Sequence, residues 1–302
     1  MTITQLVVFV KVVETKSFTK AGEELNMTQS AVSHAIKGLE SELGVILLIR
    51  DRRRGLLLSE VGKQILIHSR EVLNRLRHIE QEAATASRMD VGSIRIGSFS
   101  SASLHLLPKM IAAFQLQYPK IEIMLFDGTY QEVKEWLLSR VVDIGFSSIP
   151  DSELDFIPLI KDKMVVAFPE GHPLAEHDNI TLKVLANEPL IMTKLGSEEI
   201  VGNMFKEANL EPNIRFEVQD GGTIMNMVKE GLGITIGPEL ALPINMAGIK
   251  IREIKPTVWR TIGLSCPSIK EAPPAVKALI NAASDIWDGG TGTLSHLKNT
   301  MT

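Results

Sequence analysis

Apolar residues recur at helical spacing from the start of the chain. Leu6, Phe9, Val10 and Val13 form one stripe, and Phe18, Ala21 and Leu25 form a second. A third stripe, Val32, Ala35, Ile36, Leu39 and Leu43, lies opposite a polar half made of Gln29, Ser30, Ser33, His34, Lys37, Glu40 and Ser41. That polar half spans about 140° on a wheel that turns about 100° per residue. Ser17 and Thr28 stand where N-caps are needed, and Asn26 with Met27 leaves only a tight turn between the second and third stripes. The pattern predicts three short helices that bury one another, the last two forming a helix-turn-helix. The hydroxyls, amide, imidazole and ammonium at the start of the third suit hydrogen bonding to base edges and phosphates.

The period then changes. In GVILLIRDRRRGLLLSEVG an apolar run ends in Arg50, Asp51, Arg52, Arg53 and Arg54, turns at Gly55 and resumes as Leu56, Leu57 and Leu58. This predicts a β-hairpin with a basic tip, a wing able to reach a phosphate backbone or a narrow minor groove. Residues 59–88 lack Pro and predict one long helix. Its positions Gly62, Ile65, Ser69, Val72, Leu76, Ile79, Ala83 and Ala86 step alternately by three and four, as a coiled-coil seam does. Packing on its own N-terminal domain would explain that stripe as well. A lone helix of this length would leave the seam wet, so pairing with a second subunit is the reading taken here.

Past residue 91, strand-like segments alternate with helical ones: GSIRIGSF, LLPKMIAAFQLQYP, KIEIMLFDG, TYQEVKEWLLSRVV and DIGFSS. A second such run begins at MVVAFP, and TIGLSCP with a helix over 274–287 returns to the first. Alternation of this kind implies parallel sheet flanked by helices. The expected division is a DNA-binding domain over 1–60, a linker helix over 61–90 and an α/β region over 91–302. That region divides into lobe one (91–162 and 267–290) and lobe two (163–266). The tail DGGTGTLSHLKNTMT reads as polar and mobile.

Charge and cysteine content sharpen this division. The chain carries −4 overall, but residues 1–90 carry +2 and the remainder −6, so the basic surface is local. The single cysteine, Cys266, excludes an internal disulfide and a two-cysteine peroxide switch; in its apolar segment it reads as a passive buried thiol. No basic leader with a cleavage site occupies the first fifteen residues, and no apolar run approaches the roughly 18 residues that span a bilayer. A cytoplasmic protein with no membrane partner is expected. There is no P-loop, no G-x-G-x-x-G after a strand, no H-E-x-x-H and no G-x-S-x-G. Neither a catalytic role nor a metal or cofactor is expected.

Residues 1–62 resemble the winged helix-turn-helix of the LysR-type transcriptional regulators. The match runs F-x-x-V-x-E-x-x-S-F-T-x-A-G-x-x-L-x-x-T-Q-S-A-V-S-x-x-I-K-x-L-E-x-x-L-G, followed by L-I-R and L-S-E-V-G. It departs in Gly22, where a second Ala is more usual, and in Ser59, where Thr often stands. The resemblance implies a fold class: an N-terminal all-α winged helix-turn-helix domain, then an effector domain of two α/β subdomains, periplasmic-binding-protein-like. It also implies a linker helix that dimerises the chain, possible assembly of dimers into tetramers, contact with RNA polymerase, and activation as the commoner outcome. The residues assigned to duplex promoter DNA are Thr28, Gln29, Ser30, Ser33, His34, Lys37, Arg50, Arg52, Arg53 and Arg54.

Two α/β lobes joined by crossing strands enclose a cleft at the carboxyl ends of their strands. Chain geometry places Ser98, Ser100 and Ser101 there, with Thr129, Ser148, Thr193, Lys194, Gln219 and Gly221. Ser100 and Ser101 stand just ahead of a helix read over 103–118, whose free N–H groups would favour an anion. A small carboxylate effector is expected, with Lys194 as countercharge. Some relatives carry an Arg where this chain has Ser148, so an aromatic-acid ligand is not carried over directly from the resemblance. Thr223 reads as a helix cap.

Overall fold

The computed structural model describes all residues except 52, 54, 87–91, 149, 243–245, 288–291 and 294–302. The described chain forms two compact units, residues 1–92 with 138–141, and residues 93–137 with 142–302.

In the first unit three helices, α1 (Ile3–Thr15), α2 (Phe18–Leu25) and α3 (Gln29–Leu43), precede an antiparallel hairpin of β1 (Leu48–Asp51) and β2 (Gly55–Leu58). Each helix begins on a side-chain cap: Thr2 and Gln5 form a capping box on α1, Ser17 accepts from the Lys20 N–H, and Thr28 accepts from the Ala31 N–H. The apolar stripes meet in a core of Phe9, Val12, Ala21, Val32, Ile36 and Leu39. The larger of these side chains contribute about 1.5–3 kcal/mol each on burial. Gly22 has a local reason: a Cβ there would lie 2.6 Å from the Met27 carbonyl oxygen, so the helix-turn-helix is closed more tightly than an alanine allows.

The linker helix α4 (Glu60–Ala86) does not present one uniform seam. Ser59 caps it, accepting from the Gly62 N–H at 2.9 Å while donating to the Ile46 carbonyl at 2.6 Å. A Cβ on Gly62 would lie 2.3 Å from the Leu47 oxygen, and Ser69 is buried. Leu66, with Ile65 and Leu73 beside it, completes the core of the N-terminal helices. The first half of the predicted seam is therefore consumed inside the unit, and further along Val72 and Ile79, at 43% and 62%, and Ala83 are exposed. Of the other positions in that seam, the side chain of Ala86 lies outside the described residues.

The second unit is built on a sheet with strand order β4-β3-β5-β12-β6-β11-β7. Its strands are β3 (Gly92–Ser98), β4 (Ile121–Asp127), β5 (Ile144–Ser147), β6 (Asp155–Pro169), β7 (Ile180–Thr181), β11 (Ile249–Lys255) and β12 (Trp259–Cys266). Three further strands are β8 (Leu190–Thr193), β9 (Ile214–Val218) and β10 (Thr235–Pro238). β10 pairs with β6, while β8 and β9 pair in parallel and β8 is tied to the start of β10 through the Ile191 N–H and the Ile234 carbonyl. Helices α5 (Ser100–His105), α6 (Leu107–Gln117), α7 (Tyr130–Leu138) and α11 (Pro274–Trp287) belong to the first half. Helices α8 (Leu182–Leu185), α9 (Glu198–Glu207) and α10 (Gly221–Lys229) belong to the second.

Two corrections to the sequence reading follow. The second alternating run does not open a fresh strand at residue 163: β6 is a single fifteen-residue strand. Its Leu159 and Ile160 pack in one core and its Met164, Val166 and Phe168 in another. The return crossing also comes earlier than a boundary after Cys266, because Ile262, Leu264 and Cys266 already lie in the first core. β3 and β5 run parallel as expected, whereas β12 is antiparallel to both β5 and β6. At the bulge between Ile262 and Gly263 a Cβ on Gly263 would meet the Ile157 oxygen at 2.2 Å, so the two crossing strands touch where only glycine fits. Of the tail, the described pair Gly292–Thr293 runs parallel to Ile160 and Lys161 of β6. The other tail residues lie outside the described residues.

Candidate functional site

Helix α3 sorts its residues as the wheel predicts, with one exception. Thr28, Gln29, Ser30, His34 and Lys37 are exposed and Ser33 is half-buried, while Val32, Ile36 and Leu39 face the core. Thr28 and Ser30 share a hydroxyl contact at 2.9 Å, which fixes both at the helix start. The exception is Glu40. Its Oε1 accepts from the Leu47 N–H at 2.8 Å and the Leu48 N–H at 3.2 Å, so it ties the end of α3 to the first hairpin strand. At the hairpin tip Asp51 accepts from the Arg53 N–H at 2.7 Å and Gly55 takes φ +78°, a value natural to glycine. Arg53 is exposed; Arg52, Arg54 and the side chain of Arg50 lie outside the described residues.

The second unit holds a cavity of about 80 Å³ between its halves. Of the residues assigned to the effector, Ser100, Ser101, Thr193 and Gly221 line it, beside Phe99, Tyr130, Leu195, Ile224, Met225 and Leu242. Others go elsewhere. Ser98 is buried and accepts from the Ser103 hydroxyl. Thr129 caps α7, accepting from the Glu132 N–H and donating to the Glu132 carboxylate. Gln219 is exposed and outside the cavity lining. Lys194 pairs with Glu217 at 2.9 Å, and that hydrogen bond holds its ammonium above the usual lysine range. It is thereby drawn away from the countercharge role. Asp220, not Thr223, caps α10, with Thr223 donating to it through both N–H and hydroxyl. Ser148 lines a separate pocket of about 380 Å³ with Lys134, Asp151, Glu198 and Glu199, and its buried hydroxyl has no hydrogen-bond partner among the described residues. The helix expected over 103–118 is broken at Leu106 into α5 and α6, so Ser100 and Ser101 lie within a six-residue turn of helix.

Beneath the cavity stands a group that the sequence reading missed. Arg260 of β12 and Asp162 of β6 are register partners in the two crossing strands, and both are buried. The guanidinium reaches Asp162 Oδ2 through Nε at 2.8 Å and Nη2 at 2.6 Å. It also donates to Ser101 Oγ at 3.0 Å and to the Tyr130 hydroxyl. The other Asp162 oxygen accepts from the Leu240 N–H at 3.2 Å. Burial pushes the Asp162 carboxyl up to about 7 and draws Arg260 down to about 9. Their close contact acts in the opposite sense on both, toward a charged pair. The available signal was a single charge, Arg260, inside the apolar strand VWRTIGLSC, and an Asp flanked by two Lys inside LIKDKMVVAF.

A family described as LysR substrate binding domain matches residues 87–287, and bacterial regulatory helix-turn-helix protein, lysR family, matches residues 3–63. The chain belongs to the LysR family. Among its relatives, the HTH-type transcriptional regulator YvbU of Bacillus subtilis is 47% identical over 95% of this chain and 99% of its own. Among solved structures, a full-length OxyR variant from Pseudomonas aeruginosa shares the fold with a TM-score of 0.76 at 21% identity, covering 94% of this chain and 95% of its own. CbnR in complex with its target DNA gives 0.64 at 23% identity, covering 94% and 99%. This LysR-type transcriptional regulator thus pairs a helix-turn-helix domain with an effector-binding domain, and its homologues are regulators rather than enzymes. Among its described residues no helix is long and apolar enough to cross a membrane.

Proposed function

We propose that this LysR-type regulator reads an inverted-repeat promoter site with α3 and that a small molecule in the cavity of its effector domain controls the outcome. The observation carrying this reading is the exposed polar start of α3, backed by a buried apolar face and flanked by a hairpin whose tip bears Arg53. Gln29, Ser30, Ser33 and His34 offer donors and acceptors to base edges, with Thr28 and Lys37 near the backbone. Arg53 and its arginine neighbours take phosphates or the minor groove. The exposed Val72 and Ile79 support pairing of two chains along the outer half of α4, which would present two recognition helices to two half-sites. CbnR, whose complex with target DNA has this fold, lends the duplex partner.

In this reading effector binding changes the angle between the two halves of the effector domain and, through it, DNA bending or contact with RNA polymerase. Activation, the commoner outcome in the family, is the expected direction. A gel shift on the DNA upstream of the chain's own gene tests the reading. Wild type binds with steep salt dependence, and Arg53→Ala lowers the slope of log affinity against log salt by about 0.9 for each phosphate contact removed. Turnover of a substrate, or the absence of salt-dependent DNA affinity, would overturn it.

A further inference from the structure

Among the described residues the cavity lining contains none that is charged, yet it has an unusual supply of hydrogen-bond donors. A hydroxyl oxygen that accepts from a guanidinium keeps its own proton free and turns it away from the cation. Ser101 and Tyr130 are both held this way by Arg260, and both line the cavity. Thr193 Oγ1 accepts from the Leu195 N–H at 3.2 Å, which leaves its proton free as well. Thr235 is different: its hydroxyl is spent on the Ile191 carbonyl at 2.9 Å. Asp162 takes Nε and shares Nη2 with Ser101, while Nη1 reaches Tyr130, so the Ser101 and Tyr130 hydroxyls each accept from the cation and are strengthened as donors by it.

The rest of the wall is apolar, chiefly Leu195, Ile224, Met225 and Leu242. At roughly 80 Å³ the cavity admits only a small molecule of a few non-hydrogen atoms. We propose that Arg260, anchored by Asp162, is the positioning residue of the effector site. By turning the Ser101 and Tyr130 hydroxyls into donors it fits the cavity to a short aliphatic monocarboxylate, its acid group on those hydroxyls and its tail on the apolar wall. This rests on the reading of that cavity as the effector site and names the class of molecule it takes.

Titration of the full chain with isobutyrate and isovalerate, against isobutyramide and isovaleramide, tests the assignment. The amides keep the shape and lose the charge. The acids are expected to bind at least tenfold tighter than their amides. The double variant Arg260→Met with Asp162→Leu replaces the ion pair by an apolar pair, which buried sites tolerate. It should bring the acid-to-amide ratio close to one, a change that loss of packing alone would not produce. Tyr130→Phe and Ser101→Ala remove one donor each and should each lower the ratio, which carries the test if the double variant does not fold.

Equal binding of acid and amide, an unchanged ratio in the variants, or no binding of any of the four compounds at 10 mM, a concentration of the order of 100 times a micromolar-range dissociation constant or more, overturns the inference. A gel shift run alongside separates the two readings. Salt-dependent DNA binding with no acid binding sinks this inference and leaves the regulator standing. Absence of DNA binding sinks the regulator whatever the cavity takes.

Discussion

The polar face of α3 and the floor of the cavity in the second unit use the same kinds of polar side chain under opposite constraints. On α3 the Gln29 amide, the His34 imidazole and the Lys37 ammonium are exposed to water, and the exposed Thr28 and Ser30 hydroxyls are only partly engaged, with each other and with the helix cap. In the cavity the polar groups are hidden and already engaged with one another: Asp162 on Arg260, Arg260 on Ser101 and Tyr130. A surface group can be removed with little effect on folding, whereas a buried one leaves its partner stranded. The two sites should therefore answer substitution in opposite ways, one through binding and the other through stability.

The largest effect belongs to Asp162→Ala. It strands a buried guanidinium, and chemical denaturation of the full chain should show a loss of about 3–5 kcal/mol. A loss below 1 kcal/mol would mean that water reaches the pair, and the contrast would break. Next comes Gly62→Ala, which sets a methyl 2.3 Å from the Leu47 oxygen. A loss of about 1–3 kcal/mol is expected, measured as a lowered thermal midpoint. Last is Lys37→Ala, on an exposed side chain. Its stability should stay within about 0.5 kcal/mol of wild type, while affinity falls by a similar factor on cognate and unrelated duplexes. A fall confined to the cognate sequence would instead make Lys37 a base reader and sharpen the contrast.

The same opposition explains what could be read from the chain. The α3 face is contiguous, so a wheel drawn over fifteen residues separates Gln29, Ser33 and Lys37 from Val32, Ile36 and Leu39 without any tertiary knowledge. Glu40 escaped because its side chain leaves the polar face to hold amides seven and eight residues away. The cavity floor is drawn from residues 101, 130, 162 and 260, distant in the chain; the pairing of β6 with β12 joins the last two, and the fold of α5 and α7 onto them supplies the others. Strand ends could be located by their alternation, which found Ser100, Ser101, Thr193 and Gly221. Position at a strand end does not decide which partner a side chain takes, and so Thr129 proved to be a cap and Lys194 the partner of Glu217. The linker seam was half legible for a related reason. Spacing marks an apolar stripe but does not say which surface covers each stretch of it.

The weld between α4 and the hairpin has a mechanical consequence. The Ser59 hydroxyl on the Ile46 carbonyl, the Ser59 N–H on the Leu47 carbonyl at 3.0 Å, and Gly62 pressed on the same Leu47 leave no slack at the junction. With 27 residues, α4 is a stiff lever of about 40 Å. Torque applied at its far end would swing the hairpin strands with it, where a looser joint would absorb the motion.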